Sequence, residues 1–179
     1  MQTTQSPQEF VLSKIRQIPD FPKKGIIFKD ITTAIKDKEA FQTIINYFFD
    51  IYKDKNIDYV AGMESRGFIF GAALALKLGC GFIPIRKPGK LPYKTISETY
   101  ALEYGTDCLE IHEDAIEKGK KVVIIDDLLA TGGTASAACK LINRLDGNIV
   151  GLAFLLELGF LNGRNNLPKN VQVSSMIIE

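Results

Sequence analysis

Two consecutive carboxylates, Asp126 and Asp127, follow the apolar run Val122–Ile125 and precede the small-residue stretch Ala130-Thr131-Gly132-Gly133-Thr134. Adjacent acids suit a vicinal diol, such as that of a ribose, as hydrogen-bond acceptors, or a metal ion as ligands. Gly132 and Gly133 lack a Cβ, so backbone there can approach a ligand closely and adopt positive φ. A helical pattern, Ala135–Leu145, begins directly afterwards. The N–H groups and dipole of a helix start favour a phosphate, and Thr131 and Thr134 add hydroxyl donors. A ligand with both a phosphate and a diol is a sugar phosphate. The Gly-Lys-Ser/Thr ending of a P-loop is absent, and so is the Gly-x-Gly-x-x-Gly dinucleotide loop. An isolated Asp-Asp turn or Gly-Gly hinge would be a solvated loop. The ordered series of buried strand, acid pair, small-residue loop and helix instead describes a ligand site at the carboxyl edge of an α/β sheet.

A second strand–turn–helix unit lies upstream. Ile57–Gly62 reads as a strand, Met63–Gly67 as its turn, and Phe68–Lys77 as a helix closed by Gly79. Arg66 in this turn could pair with a surface acid. Beside a phosphate loop it suits a pyrophosphate, through its planar fork and with Ser65 as a further donor. After the strand Gly81–Ile85, the segment Arg86–Thr95 holds four cations, two prolines and a glycine without periodicity. Such a run is either solvated surface or a lid closing over an anionic substrate. Glu98–Tyr104 alternates, with Tyr100, Leu102 and Tyr104 on one face and Thr99, Ala101 and Glu103 on the other.

These groups need a scaffold. Ser6-Pro7-Gln8-Glu9 combines a Ser cap, Pro at the first helical position and Glu three residues after the cap, a helix start that Pro19 should end. Ile18–Ile31 reads as irregular. Asp37 can cap a helix over 38–53 whose stripe Phe41, Ile44, Ile45, Phe48 and Tyr52 marks a core face. Asp107–His112, Asn148–Glu157 and Val171–Ile178 read as strands, Asp114–Gly119 and Leu161–Leu167 as turns or short helices. Alternating strands and helices predict an α/β fold with a mostly parallel sheet. The chain of 179 residues reads as one domain. With 22 Lys and Arg against 21 Asp and Glu, nothing in the bulk charge calls for nucleic acid or a membrane surface. No apolar stretch approaches the ~20 residues of a membrane span, and the polar N-terminus is no signal peptide, so a soluble cytoplasmic protein is expected. Cys80, Cys108 and Cys139 are isolated; together with His112, which reads as a surface residue, they form neither zinc spacing nor a disulfide framework.

The stretch from Val122 to Thr134 resembles the phosphoribosyl-pyrophosphate signature of the type I phosphoribosyltransferases. The resemblance extends from about Ile18 to Leu167. At Tyr-x-Leu-Glu-Tyr-Gly, ending with Glu103-Tyr104-Gly105, the chain looks most like the adenine-using members. The resemblance implies the type I phosphoribosyltransferase fold, a Rossmann-like core of mostly parallel sheet flanked by helices, with a small hood to which residues 1–35 contribute. It implies transfer of 5-phosphoribosyl from phosphoribosyl pyrophosphate to adenine, giving AMP and pyrophosphate.

The residue roles it implies are specific. Asp126 and Asp127 hold the ribose, and Ala130, Thr131, Gly132, Gly133 and Thr134 the 5′-phosphate. Ser65, Arg66, Arg86 and Lys90 bind pyrophosphate. In the family the residue at Arg86 commonly does so across a dimer interface, so a homodimer is expected. Ile27 and Lys29 read the base edge through backbone groups, and Phe28 and Leu158 sandwich its faces. Many members have Arg where this chain has Lys29, a change that a backbone contact survives. Mg²⁺ is expected to be held mainly through the substrate, with Asp126 and Asp127 as its protein ligands, and Glu103 to manage the purine proton near N7.

Two alternatives stand beside this expectation. One is the same chemistry on a 6-oxopurine. The other is a phosphoribosyl-pyrophosphate-sensing regulator, which would carry a DNA-binding domain or basic patch and need no acid/base. A carboxylate in general acid/base work contributes about 10²–10⁴ in rate. Glu103→Gln is therefore expected to lower kcat within that range while leaving substrate KM values nearly unchanged in steady-state assays. Unchanged kcat would remove the role.

Overall fold

The structure, a computed structural model, describes residues 5–101 and 105–179. Its N-terminal helix α1 (Pro7–Lys14) starts as expected. Ser6 Oγ accepts from the Glu9 N–H at 3.2 Å, and the Glu9 carboxylate accepts from the Ser6 N–H at 2.8 Å. The helix ends at Lys14, well before Pro19, because the chain turns into β1 (Arg16–Pro19), which pairs antiparallel with β2 (Ile27–Asp30). Most of the segment read as irregular is therefore a hairpin. Strands of four residues are too short to show alternation, and Pro19, Pro22 and Gly25 mask what there is. Helix α2 (Thr32–Lys36), also absent from the sequence reading, is a single short turn. Helix α3 (Lys38–Tyr52) follows, with the N–H groups of Glu39 and Ala40 donating to Asp37 Oδ1 at 3.0 and 3.1 Å. Ile44, Ile45, Phe48 and Tyr52 of its expected stripe are buried.

The chain divides into two compact units, Met1–Tyr47 and Phe48–Glu179, with the boundary inside α3. The second unit continues with β3 (Tyr59–Met63), α4 (Gly67–Leu78), β4 (Gly81–Ile85), β5 (Thr95–Ala101), β6 (Thr106–His112), β7 (Lys121–Leu129), α5 (Gly133–Arg144), β8 (Asn148–Glu157) and β9 (Gln172–Ile178). Five strands form one sheet in the order β4-β3-β7-β8-β9, and every neighbouring pair is parallel. This is the parallel α/β sheet expected from the sequence. A separate antiparallel hairpin, β5–β6, pairs Tyr100 with Asp107. His112 at its end is half-buried rather than fully on the surface, its ring edge-on to Tyr93.

The central strand is packed on both faces. Ile124 clusters with Ala138, Leu141 and Ile142 of α5. Its neighbour Ile125 points the other way, with Cγ2 only 3.2 Å from where a Cβ on Gly71 of α4 would stand. Helices α4 and α5 therefore cover opposite faces. Right-handed crossovers require this, since the chain steps outward from β3 to β4 in one direction and from β7 to β8 in the other. The crevice between β3 and β7, where that direction reverses, is where ligands bind in open parallel sheets.

Strand β7 is longer than the Val122–Ile125 run suggests. Its pairing with β8 continues through Asp126 to Leu129, whereas its pairing with β3 ends at Ile125. One side of the acid pair is thus held in the ladder and the other is open. Close packing sets the last turn of α3 against β8, where a Cβ on Gly151 would lie 2.6 Å from the hydroxyl of Tyr52, itself fully buried. Gly151→Ala should cost about 1–3 kcal/mol, the usual penalty for overfilling a core. Equilibrium urea unfolding measures it, and an unchanged midpoint would mean the ring moves aside freely.

Candidate active site

A cavity of about 380 Å³ opens over the carboxyl ends of β3 and β7. Ser65, Arg66, Asp126, Asp127 and all five residues Ala130–Thr134 line it, so the two strand–turn–helix units do converge. Arg66 occupies the N-cap position of α4 without a side-chain cap, and its Nη2 lies 2.9 Å from Asp127 Oδ2. The preceding Glu64–Ser65 peptide is cis. Gly67, first in α4, allows a close approach to the central strand, because a Cβ there would lie 2.9 Å from both Asp126 Oδ1 and the Ile125 carbonyl oxygen.

The acids are electrostatically strained. Asp127 is only 6% exposed, and Asp126 is half-buried with its Oδ1 accepting from the Asp127 N–H at 2.9 Å. Burial, and then the neighbouring Asp127 charge, push the Asp126 carboxyl well above the usual carboxylate range. Burial also raises Asp127, and the Arg66 guanidinium opposes that shift. Hydroxyl donors or a cation would relieve both groups.

The loop Ala130–Thr134 has the geometry its sequence demands. Gly132 sits at φ +85° as the N-cap of α5, with no side chain bonding the helix start. The first-turn N–H groups and the positive dipole end are thus not capped by the protein, as anion binding requires. Thr134 Oγ1 lies 3.2 Å from the Tyr100 hydroxyl, which bonds Asp107 Oδ2 at 3.1 Å. Lys87 Nζ pairs with the same Asp107 carboxylate, and this pairing holds Asp107 below its ordinary pKa.

Lys87, Tyr100 and Asp107 also line the cavity, and sequence reasoning singled out none of them. The missing signal was the hairpin: both strands were read, but only their pairing puts Tyr100 opposite Asp107. Arg86 and Lys90 are not among the cavity-lining residues. The Arg86 fork instead bonds Glu64, Nε to Oε2 at 3.2 Å and Nη2 to Oε1 at 3.1 Å, and Nη1 reaches the Lys90 carbonyl at 3.1 Å. Glu64, which does line the cavity, thus holds the start of the cationic loop.

Ile27, Phe28, Lys29 and Leu158 are not among the residues lining this cavity. Ile27, Phe28 and Lys29 are in β2, where the Phe28 ring meets Phe21 edge-on at 5.2 Å. Leu158 follows β8, its N–H donating to the Leu129 carbonyl at 2.9 Å. Glu103 falls outside the described residues. For a metal, Asp126 and Asp127 are two neighbouring carboxylates on the cavity wall. Among the described residues no group of three or more His, Cys, Asp and Glu could hold an ion. That donor set fits Mg²⁺, which keeps most of its shell as water and substrate oxygens and takes one or two carboxylates from the protein.

The raised carboxyls carry a pH signature. A group whose folded pKa lies above its unfolded value binds more protons folded, so stability falls as pH rises from the ordinary carboxylate pKa through the folded one. Asp126→Asn removes the charge. It is expected to raise the Tm of the ligand-free, magnesium-free protein at pH 7, with the gain shrinking toward zero as pH approaches 4. Thermal melts across that range check it, and a gain independent of pH would contradict the assignment.

Residues 32–174 match the model of the phosphoribosyl transferase domain family. The adenine phosphoribosyltransferase of Halothermothrix orenii is 63% identical over 153 residues, 86% of this chain and 90% of that protein. The crystal structure of the Thermoanaerobacter pseudethanolicus adenine phosphoribosyltransferase superposes with a TM-score of 0.92 at 52% identity, covering 96% of this chain and 99% of that one. That of Saccharomyces cerevisiae, complexed with an imino-altritol bisphosphate and adenine, gives 0.90 at 41% identity over 95% and 98% of the two chains. By that family match and these identities, the chain belongs to the phosphoribosyltransferase family, among the adenine phosphoribosyltransferases.

Proposed function

We propose that this chain transfers the 5-phosphoribosyl group from phosphoribosyl pyrophosphate to adenine, releasing AMP and pyrophosphate. The observation that carries the reading is one cavity shared by a buried acid pair, an arginine and an uncapped helix start. Those are the complements of a ribose diol, a pyrophosphate and a 5′-phosphate. The likeness to adenine-using relatives supports the choice of base. It also disfavours the 6-oxopurine alternative, and the regulator has no support in these relatives.

In this reading the bond from C1 of the sugar to pyrophosphate breaks as a bond to purine N9 forms. Asp126 and Asp127 accept hydrogen bonds from the ribose hydroxyls, and their negative field favours the positive charge that develops on the sugar. Ala130–Thr134 bind the 5′-phosphate through backbone N–H groups and the two threonine hydroxyls. Ser65 and Arg66 bind pyrophosphate, joined by Arg86 and Lys90 once Arg86 exchanges Glu64 for the ligand. Ile27, Phe28, Lys29 and Leu158 contact the base, and Glu103 takes up the proton that the purine loses. Magnesium, when bound, offsets charge on the departing pyrophosphate. The proposed working form is a cytoplasmic homodimer.

A base panel tests the reading. The protein is incubated with phosphoribosyl pyrophosphate, Mg²⁺ and each of adenine, hypoxanthine, guanine and xanthine, and nucleotide formation is followed. AMP from adenine, with at least about 10²-fold preference in kcat/KM over the others, is expected, because a site bonded to a 6-amino group leaves polar groups unpaired against a 6-oxo group. Product from a 6-oxopurine alone would overturn the base. No product from any base would overturn the enzyme.

A further inference from the structure

The phosphate loop does not stand alone. A 3₁₀ turn, Gly163–Asn166, lies against it, with backbone touching backbone. A Cβ on Gly163 would fall 2.1 Å from the Ala130 carbonyl oxygen and 3.2 Å from the Gly132 nitrogen. A Cβ on Gly132 would fall 2.3 Å from the Gly163 carbonyl oxygen. Both glycines are buried, and neither contact leaves room for a side chain. Asn166 Nδ2 then donates to the Thr131 carbonyl at 2.7 Å. That bond turns the Thr131 peptide unit, which carries the Gly132 N–H, into a fixed element of the loop.

The turn is itself anchored to the sheet. Arg164 closes a two-point pair with Glu157, Nε to Oε1 and Nη2 to Oε2, both at 2.7 Å. Ser175 Oγ of β9 donates to the same carboxylate at 2.5 Å. Glu157 is 6% exposed, and the Arg164 fork holds its pKa below the ordinary value. Glu157 is also the register partner of Leu129, the last residue of β7 before the loop. Leu167, just after the turn, is buried in the core. The loop is thus held between α5, which it leads into, and a turn fixed to the far strands of the sheet. None of Glu157, Gly163, Arg164 and Asn166 lines the cavity.

Resting on the phosphoribosyl-transfer reading, we propose that the turn Gly163–Asn166 is a positioning element for the 5′-phosphate, with Asn166 and Arg164 acting through the backbone of Ala130–Gly132. A loop whose N–H groups must all aim at one phosphate loses entropy when it is ordered. Holding it in place beforehand removes that cost from binding. The turn should therefore set affinity for the 5′-phosphate end of the substrate and leave the pyrophosphate end and the base alone.

The test uses the full chain, wild type and Asn166→Ala, with Arg164→Lys as a second variant that keeps the charge but loses the two-point geometry. Calorimetry measures binding of ribose 5-phosphate and, separately, of inorganic pyrophosphate with Mg²⁺; steady-state assays give KM and kcat. Loss of one net hydrogen bond corresponds to about five- to tenfold. Asn166→Ala is expected to weaken ribose 5-phosphate by that factor and raise KM for phosphoribosyl pyrophosphate similarly. Pyrophosphate affinity, KM for adenine and kcat should stay within about twofold of wild type, and Arg164→Lys should shift the same two quantities in the same direction. Unchanged ribose 5-phosphate affinity in both variants would overturn the proposal, as would an equal loss for ribose 5-phosphate and pyrophosphate, which is what general destabilisation produces. A wild-type chain that binds ribose 5-phosphate but makes no nucleotide would sink the enzymatic reading and leave the binding comparison intact.

Discussion

Asp126 and Asp127 stand where a parallel sheet loses one of its strands. Strand β7 remains hydrogen-bonded to β8 on one side, so the backbone under the acids is rigid. On the other side β3 has ended, and its turn brings Arg66 to Asp127. Two neighbouring carboxylates in a half-buried crevice are an unfavourable arrangement for the folded chain, tolerable only because the ladder, the core beneath and one guanidinium over-determine it. Other features follow from that placement. Glycine is needed at position 67 because α4 must start against Asp126, and the phosphate loop must leave the strand only a few residues later.

Conflict of this kind is what a binding site for a diol and a cation exploits. In the free protein the acids are poorly solvated and mutually repelling, so their pKa values rise. A ligand that brings donors to them relieves the conflict, and its binding energy includes that relief. The arginine pairs with Asp127, yet burial keeps both carboxyls raised. The uncapped α5 start is the counterpart on the phosphate side, a set of N–H groups that the protein leaves without a side-chain cap.

How much of this was legible in the sequence depended on whether the signal was local. The capping box at Ser6 and Glu9, the α3 stripe, the strands Gly81–Ile85 and Asn148–Glu157, and the β7–loop–α5 unit are all periodic or capped within a short window, and the structure has them at or near the expected bounds. The convergence of the two strand–turn–helix units on one cavity was foreseeable from α/β topology. What could not be read were features that a distant partner creates. The β1–β2 hairpin exists because two short, proline-marked segments find each other. Asp107 meets Tyr100 only through the pairing of β5 with β6, and Lys87 in turn pairs with Asp107. Arg86 looked like one charge in a basic run, and nothing nearby in sequence announces that Glu64 holds its fork.

The same division between local and distant contacts governs how the molecule assembles. Strand β7, the loop and α5 are contiguous, so the acids and the phosphate loop come together as soon as one strand–helix unit forms. Arg66 arrives only when β3 pairs with β7, a contact between segments far apart in the chain that carries the larger loop-closure cost. Without that pairing the carboxylates lack the Arg66 countercharge. The docking of β3 is thus driven both by burial of Val60 and Ala61 and by delivery of a cation to the place that lacks one. A sugar phosphate bound to the finished crevice stabilises that docked state alone. Substrate thereby favours the state in which β3 keeps its register beside β7.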